Sequence, residues 1–479
     1  MTVTADHEPM SSIRKPGTPF FIIPFIISTA FLMEALDSNI ITASIPVMAD
    51  AFGVSPVHLN LAITSYIISL GIFIPISGWI ADRYGARRVF IYAICLFTFG
   101  SILSGASVSF EMLVTSRILQ GVGGALMTPV GRLILLRSFN REELVATISY
   151  MTMPVLIGPL LGPLLGGFLT TYAHWRWIFY INIPIGLIGI LAALRYINDV
   201  PPEKVPRFDV RGFFIVAAAI VIFQTTIENF VHPFMPNGVG IMMIVGASGL
   251  CLGFAFHAKR VAHPVVDVAL IRIRPFRNGV IFGGISRIGM NSVPFLLQLK
   301  LQLGMGYSPL AAGGLVFLTA FGALSLKVMT RKILAFTGFR LLLSVNAIFG
   351  GALTACFALL DGRVSVAAMA LLIFVFGFSR SLQFNAINAL TYADVPKERQ
   401  SGSVALAGAI QQITMGLGVS LSAVLLARAG GDHLPDLAAF DHAFVVMGAV
   451  PLLSALGFLT LKAEDGSEAS GQRPAKSRA

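Results

Sequence analysis

Glu34 and Asp37 stand three residues apart inside an apolar stretch that begins near Phe20. In a helix that spacing puts them on nearly one face. A carboxylate in the core of a bilayer is costly, so such a group is expected to face a cavity and take part in function. Arg117 sits in another apolar stretch, Arg117-Ile-Leu-Gln120-Gly121-Val-Gly123-Gly124, and carries the same cost unless it reaches a carboxylate or water. Burial penalises a charged carboxylate, whereas a neighbouring guanidinium favours it. A change in hydration or geometry around such a pair therefore takes up or releases a proton. The chemistry indicated is reversible protonation of Asp37, with Glu34 beside it and Arg117 setting the threshold. The alternative for Asp37 is a purely structural ion pair. Two further arginines lie within apolar runs: Arg287, in Gly284-Ile-Ser-Arg287-Ile-Gly, and Arg380, in Gly377-Phe-Ser-Arg380-Ser-Leu-Gln383-Phe-Asn385. Neither has an evident acid in its own half of the chain. A guanidinium matches a carboxylate bidentately, so they either receive an anionic ligand or reach across to Glu34 or to helix-end carbonyls. Asn291, Gln298, Gln383, Asn385 and Gln411 are neutral polar groups able to line the same cavity.

These residues need helices that cross a membrane. The 479-residue chain is 56% hydrophobic and 12% charged, with a mean hydropathy of +0.81, which excludes an ordinary soluble protein. Fourteen apolar runs are centred near Ala30, Leu70, Phe97, Gly123, Pro159, Ile185, Ile220, Val245, Ile288, Leu318, Phe349, Ile373, Met415 and Val450. The first lacks a small-residue cleavage site and is read as a retained span. If the N-terminus is cytoplasmic, 26 of the 34 Lys and Arg residues fall in inside segments. Only Arg176, Lys300, Arg363 and Arg428 fall outside, and Arg117, Arg132, Arg287 and Arg380 fall within spans. That bias puts both termini in the cytoplasm. It also accounts for the net charge of +11 as a topology signal, with no nucleic acid implied. Depth then links Asp37 to Arg117. Asp37 lies about 17 residues, or about 25 Å, above the cytoplasmic start of its helix, and Arg117 about 6 residues, or about 9 Å, below the outer end of its own. The two share a level.

Met151–Leu169 is apolar enough to span, yet it holds Pro154, Pro159 and Pro163 with Gly158, Gly162, Gly166 and Gly167. Lipid leaves freed backbone groups no water, so the segment is expected to be a bent helix. Glycines at every fourth residue give it a face for backbone contact. The steps Gly158-Pro159-x-x-Gly162-Pro163-x-x-Gly166-Gly167 resemble the fifth-helix antiporter motif of the major facilitator superfamily. Gly78-Trp-Ile-Ala-Asp82-Arg83-Tyr-Gly85-Ala-Arg87-Arg88 resembles that superfamily's signature cytoplasmic loop. The resemblance implies that Gly78, Asp82, Arg83, Gly85, Arg87 and Arg88 form a gate of ion pairs between two halves when the cytoplasmic side is closed. Leu36-Asp37-Ser-Asn-Ile-Ile-Thr-Ala-Ser-Ile-Pro46 resembles the first-helix motif of the fourteen-span drug:proton antiporters, and the Arg117 segment resembles the fourth-helix motif, whose arginine is implicated in proton coupling. Trp175-Arg176-Trp177-Ile-Phe179-Tyr-Ile-Asn182 reads as an interfacial belt and resembles the same family.

The resemblance implies an all-α polytopic membrane protein with the major facilitator fold: 14 transmembrane helices, in two six-helix bundles plus two extra central helices. The divisions are a cytoplasmic tail (1–19), a first bundle (20–197), linkers with the extra pair (198–275), a second bundle (276–462) and a disordered cytoplasmic tail (463–479). In the second half, Lys327 to Arg340 holds the place equivalent to the Gly78 loop and keeps Gly338-Phe-Arg340, but lacks the acid. The function implied is proton-coupled export of small organic molecules, drugs or toxic metabolites, across the bacterial cytoplasmic membrane by alternating access. Export of organic anions such as carboxylates through Arg287 and Arg380 is an alternative, and a proton symporter for uptake is a weaker one. The expected partners are a small-molecule substrate, protons and the lipid bilayer, with the protein a monomer. The proton gradient drives the cycle, and no cofactor is expected. Cys95, Cys251 and Cys356 lack metal-ligand spacing. No catalytic dyad or metalloprotease motif points to an enzyme.

Overall fold

The computed structural model describes residues 19, 21–139, 158, 161–198, 205, 207–231, 235–325, 330–396, 399–430, 435–462 and 464–466. Pro154, Pro159 and most of both terminal tails lie outside them. The helices are, in chain order, α1 Ile22–Phe52, α2 Asn60–Tyr84, α3 Ala86–Gly105, α4 Phe110–Ser138, α5 over 161–172 and α6 Trp177–Tyr196. There follow α7 Val210–Val231, α8 Asn237–Ala258, α9 Arg274–Gly304, α10 Pro309–Ser325, α11 Thr330–Cys356, α12 Val366–Ala393, α13 Gln400–Gly430 and α14 Leu437–Phe458. Among the described residues, 12 helices are long and apolar enough to cross a membrane; α10 is apolar but shorter. With α5 they account for each of the apolar runs read from the sequence.

Helix starts follow capping chemistry. The side chains of Ser109, Ser365 and Asp436 accept from the backbone N–H of Met112, Ala368 and Ala439 at the starts of α4, α12 and α14. Two glycines make corresponding reversals in the two halves. Gly85 (φ 92°) separates α2 from α3, and Gly338 (φ 70°) breaks α11 near its start. Both values lie where a Cβ is disfavoured. The second half therefore keeps the turn of the first, while Asp82 has no acidic counterpart there.

Small residues set the packing, as expected where lipid gives apolar side chains no reason to prefer a neighbouring helix. A Cβ at Gly123 would meet the backbone of Phe97, joining α4 to α3, and one at Gly121 would meet the Tyr66 carbonyl of α2. In the second half Gly377 is closed by Thr319, joining α12 to α10, and Gly448 by Gly351, joining α14 to α11. The halves touch along α2 and α13, where Gly71 lies against Ile413 and Ala409 and Gly416 against Ile67. Two turns further, towards the α2–α3 end, Gly78 is exposed and a Cβ there would meet nothing within 4 Å among the described residues. At the opposite end they are closed: Gly167 abuts Pro309 and Leu310, Gly313 abuts Pro163, and Gln302 Nε2 donates to the Ala43 carbonyl at 3.0 Å. The halves are thus held together at the end away from the α2–α3 turn. α7 and α8 pack on each other at the periphery, with α7 also touching α13 and α2.

Lys300, counted with an outer segment in the sequence, is buried in a π turn that ends α9. Its Nζ donates to the Phe357 carbonyl at 2.9 Å and pairs with Asp441 Oδ1 at 2.6 Å. Its long stem lets an outer-end residue fold back into the bundle.

Candidate functional site

Asp37 and Arg117 meet in the first bundle. Asp37 is 1% exposed and Arg117 0%, and Arg117 Nη1 lies 2.5 Å from Asp37 Oδ2. The other carboxylate oxygen, Oδ1, accepts from Gln120 Nε2 at 2.7 Å and from Asn182 Nδ2 at 3.2 Å. Gln120 closes the ring by accepting from Arg117 Nη1 at 2.7 Å through Oε1. Ser101 Oγ of α3 accepts from both Gln120 and Asn182. Arg117 Nε donates to the Ala62 carbonyl of α2 at 3.2 Å, and the guanidinium lies 4.2 Å from the centre of the Tyr66 ring. Arg117 Nη2 has no hydrogen-bond partner among the described residues.

Five helices thus converge on one ion pair. A buried pair repays its desolvation only when its remaining lone pairs and protons are satisfied. Here Gln120 and Asn182 supply that on the carboxylate side. The local sequence explains the convergence: Gln120 follows Arg117 by three residues on one face of α4, and α6 breaks at a turn around Ile181, so Asn182 heads a fresh helical segment. Chemically, the site holds a carboxylate with no exposed surface beside a guanidinium that cannot lose its proton. Neutralising Asp37 would strand that cation.

Glu34 is half-buried. Thr128 Oγ1 of α4 donates to Glu34 Oε2. One turn along α4, exposed Arg132 interacts electrostatically with Glu34 and with Tyr392 of α12, which also interacts with Arg287. Glu34 and Arg132 of the first half thus lie in electrostatic reach of Tyr392 and, through it, Arg287 of the second.

Arg287 donates from Nη2 to Asn388 Oδ1 at 2.8 Å and lies over the Phe384 ring at 5.3 Å. Its Nε is buried without a partner among the described residues. Half-buried Arg380 makes no hydrogen bond or ion pair among them. Neither arginine pairs with Glu34. Asn291, Asn385 and Gln411 are half-buried, Asn385 donating to Ser381 Oγ at 3.4 Å. Two expected cavity groups lie elsewhere. Gln383 is 2% exposed and bonded to Asn346 Nδ2 at 2.9 Å and to the Leu343 carbonyl, because the rotation of α12 turns it into the α11 interface. Gln298 is fully buried in α9, and neither end of its amide has a partner among the described residues.

At the α2–α3 end, Asp82 accepts from Arg137 Nη2 of α4 at 2.9 Å. Arg87 donates to the Leu194 carbonyl of α6 at 2.9 Å, while Arg83 and Arg88 are exposed. These bonds lie within the first bundle, as fits a conformation in which Gly78 faces open space. α5 runs between α1 and α10. A Cβ at Gly158 would press on Ala35, one at Gly162 would stand 2.7 Å from Asn39 Cβ, and one at Gly166 would strike the Ile40 carbonyl. Ser44 and Thr170 close the same seam with a 2.6 Å hydrogen bond.

Residues 27–419 match the family profile described as Major Facilitator Superfamily. A protein of Klebsiella pneumoniae subsp. pneumoniae named "Putative multidrug resistance protein MdtD" is 34% identical over 456 residues, which cover 92% of this chain and 95% of the relative. A protein of the same name from Enterobacter sp. (strain 638) is 33% identical over 429 residues, covering 88% and 89%. Among solved structures, a peptide transporter POT in complex with sulfate superposes with a TM-score of 0.68 at 16% identity, covering 94% of this chain and 96% of its own. A D-xylose-proton symporter does so with 0.66 at 15%, covering 94% and 99%. At such identities the likeness speaks for the fold alone.

Proposed function

The chain belongs to the Major Facilitator Superfamily, and from that premise we propose that it is a proton-coupled antiporter exporting small organic molecules across the bacterial cytoplasmic membrane. The name of the relatives supports export. The observation that carries proton coupling is the fully buried Asp37–Arg117–Gln120 ring. Asp37, with Glu34 on its cavity side, takes a proton from outside and gives it up inside, and Arg117 holds the charged state. The bundles 20–197 and 276–462 are the rocking units of a monomer. On the charge bias, both termini and the α2–α3 turn are cytoplasmic, so the closed end of the halves lies outside and the cavity between them opens to the cytoplasm. The paired, charged Asp37 is the state from which the proton has been released.

The cycle follows from the cost of separating the pair. Protonation neutralises Asp37 and leaves Arg117 as an isolated buried cation, a situation worth roughly 3–5 kcal/mol. Relief requires water or another partner at Arg117, so proton uptake favours the conformation that supplies one. Gly78, Asp82, Arg83, Gly85, Arg87 and Arg88 close against the second half in that conformation. Gly158, Gly162, Gly166 and Gly167, with Pro159 and Pro163, keep the first bundle sealed. Transport into inverted vesicles under an imposed pH gradient tests the reading: Asp37→Asn abolishes proton-driven uptake into the vesicles.

A second reading concerns substrate charge. Arg132, Arg287 and Arg380 all lie on cavity-side helices, and neither Arg287 nor Arg380 has an acid partner among the described residues. This supports an organic anion such as a carboxylate over a lipophilic cation as the exported species. Comparing a tricarboxylate with a lipophilic cation in the same vesicles decides between them.

A further inference from the structure

α7 meets the first bundle incompletely. Between α7, α2 and α4 lies a cavity of about 680 Å³, within the range that takes a drug-sized molecule. On α2 it is lined by Leu61, Ser65, Ile68, Ser69, Ile72 and Phe73. Ala62 and Tyr66, which contact Arg117, are not among them. The lining thus shares no residue with the Asp37–Arg117 site.

The lining is mostly apolar, with Ser65, Ser69, Gln224 and Thr225 the neutral polar members, and Glu228 and His58 converge at one end. Glu228 is 6% exposed, and neither of its carboxylate oxygens has a hydrogen-bond partner among the described residues. His58 Nε2 is 3.8 Å from Glu228 Oε1, too far for a hydrogen bond, and its ring packs on Phe110. One turn before Glu228, Gln224 donates to Ser420 of α13 at 3.0 Å. That bond ties α7 to the second half and away from collapse onto α2. A carboxylate buried without hydrogen bonds is costly unless it takes up a proton or an opposite charge joins it, and the nearest such group, His58, stands off at 3.8 Å.

We propose that this cavity binds an amphiphilic cation, with one ammonium or phosphonium centre against Glu228 and an apolar body between α2, α4 and α7. Two sources share that chemistry: a free lipophilic cation and the amine headgroup of a membrane lipid. The site is independent of the exported substrate and of proton coupling.

The test uses the full chain in nanodiscs of phosphatidylglycerol, titrated with tetraphenylphosphonium. Glu228→Gln weakens binding by about tenfold, the loss of one charge-assisted contact. Glu228→Asp retains binding within a few-fold, and Glu228→Gln leaves transport driven by a pH gradient unchanged, which separates this site from the central one. Adding phosphatidylethanolamine distinguishes the sources: competition identifies the lipid headgroup, and its absence the free cation. Equal affinity in wild type and Glu228→Gln overturns the proposal. So does a neutral apolar ligand of similar size that binds as tightly as the cation, for the cavity is then only a seat for lipid chains.

Discussion

Replacing Asp37 by asparagine removes one charge and keeps the shape. In the wild-type ring the carboxylate accepts from Arg117, Gln120 and Asn182. The amide in Asp37→Asn can still accept from Gln120 and Asn182, but its NH₂ faces the Arg117 donor at the 2.5 Å position. Stranding a buried cation costs roughly 3–5 kcal/mol. Arg117 keeps Gln120 Oε1, the Ala62 carbonyl and the face of Tyr66, so the lower end applies. At about 3 kcal/mol, the balance between conformations that bury Arg117 and those that hydrate it shifts by more than about a hundredfold. The measurement pairs two modes in proteoliposomes. Substrate exchange without a gradient persists at reduced rate, whereas accumulation driven by a pH gradient disappears. A double-mutant cycle with Arg117→Gln should give a coupling energy of about 2 kcal/mol or more for thermal stability. Normal gradient-driven accumulation by Asp37→Asn, or additive effects in the cycle, would refute the reasoning.

Gly162→Leu must push α5 off α1, because even a Cβ stands 2.7 Å from Asn39 Cβ; the protein still reaches the membrane, but coupled transport stops, with Gly162→Ala intermediate. Arg287→Ala removes the donor to Asn388 and is expected to lower tricarboxylate transport at least about tenfold while sparing a lipophilic cation; loss of neither would dispose of the anion reading. At the start of α7, burial pushes the Asp209 carboxyl up, but hydrogen bonds from His257, Gly212 and Val265 outweigh it and hold it below its ordinary range. A depressed carboxyl stabilises above its unfolded value and loses that contribution as pH falls through the folded one. Asp209→Asn is therefore expected to cost about 1 kcal/mol at neutral pH, and its unfolding midpoint should converge with wild type as pH drops below the usual carboxylate range.

The meeting of Asp37 with Arg117 was legible in the sequence because helix rise is fixed and a bilayer fixes where helices begin and end. Counting residues from each end gave depth, and depth was enough for a pair this costly to leave apart. Rotation about each helix axis was less legible. It decides that Asn182, Ser101 and Gln120 complete the ring, that Thr128 and Arg132 attend Glu34, and that Gln383 turns away towards Asn346. Those rotations are fixed by glycine contacts between helices, such as Gly100 against Gln120 and, across a longer stretch of sequence, Gly166 against Ile40. A hydropathy pattern weakly biased to one face, as on α12, does not reveal them. The signal for Asn182 was present in Tyr180-Ile-Asn182-Ile-Pro184, a polar side chain entering a span at the level of Asp37. The burial of Lys300 was not legible, because charge counting assigns a basic residue to a side without saying whether it folds back, and Asp441, its partner, is 141 residues away.

The seam along α5 has a kinetic consequence. Gly158, Gly162 and Gly166 present backbone to α1, while Gly167 and Gly313 bring the backbones of α5 and α10 together. Interlocked side chains would have to change rotamer, one after another, whenever the two surfaces moved past each other. Here there are few teeth to disengage. The helix acts as a plain bearing, watertight because the gap is too narrow for a side chain and low in friction for the same reason. Adding a methyl to its surface would turn a sliding contact into a ratchet.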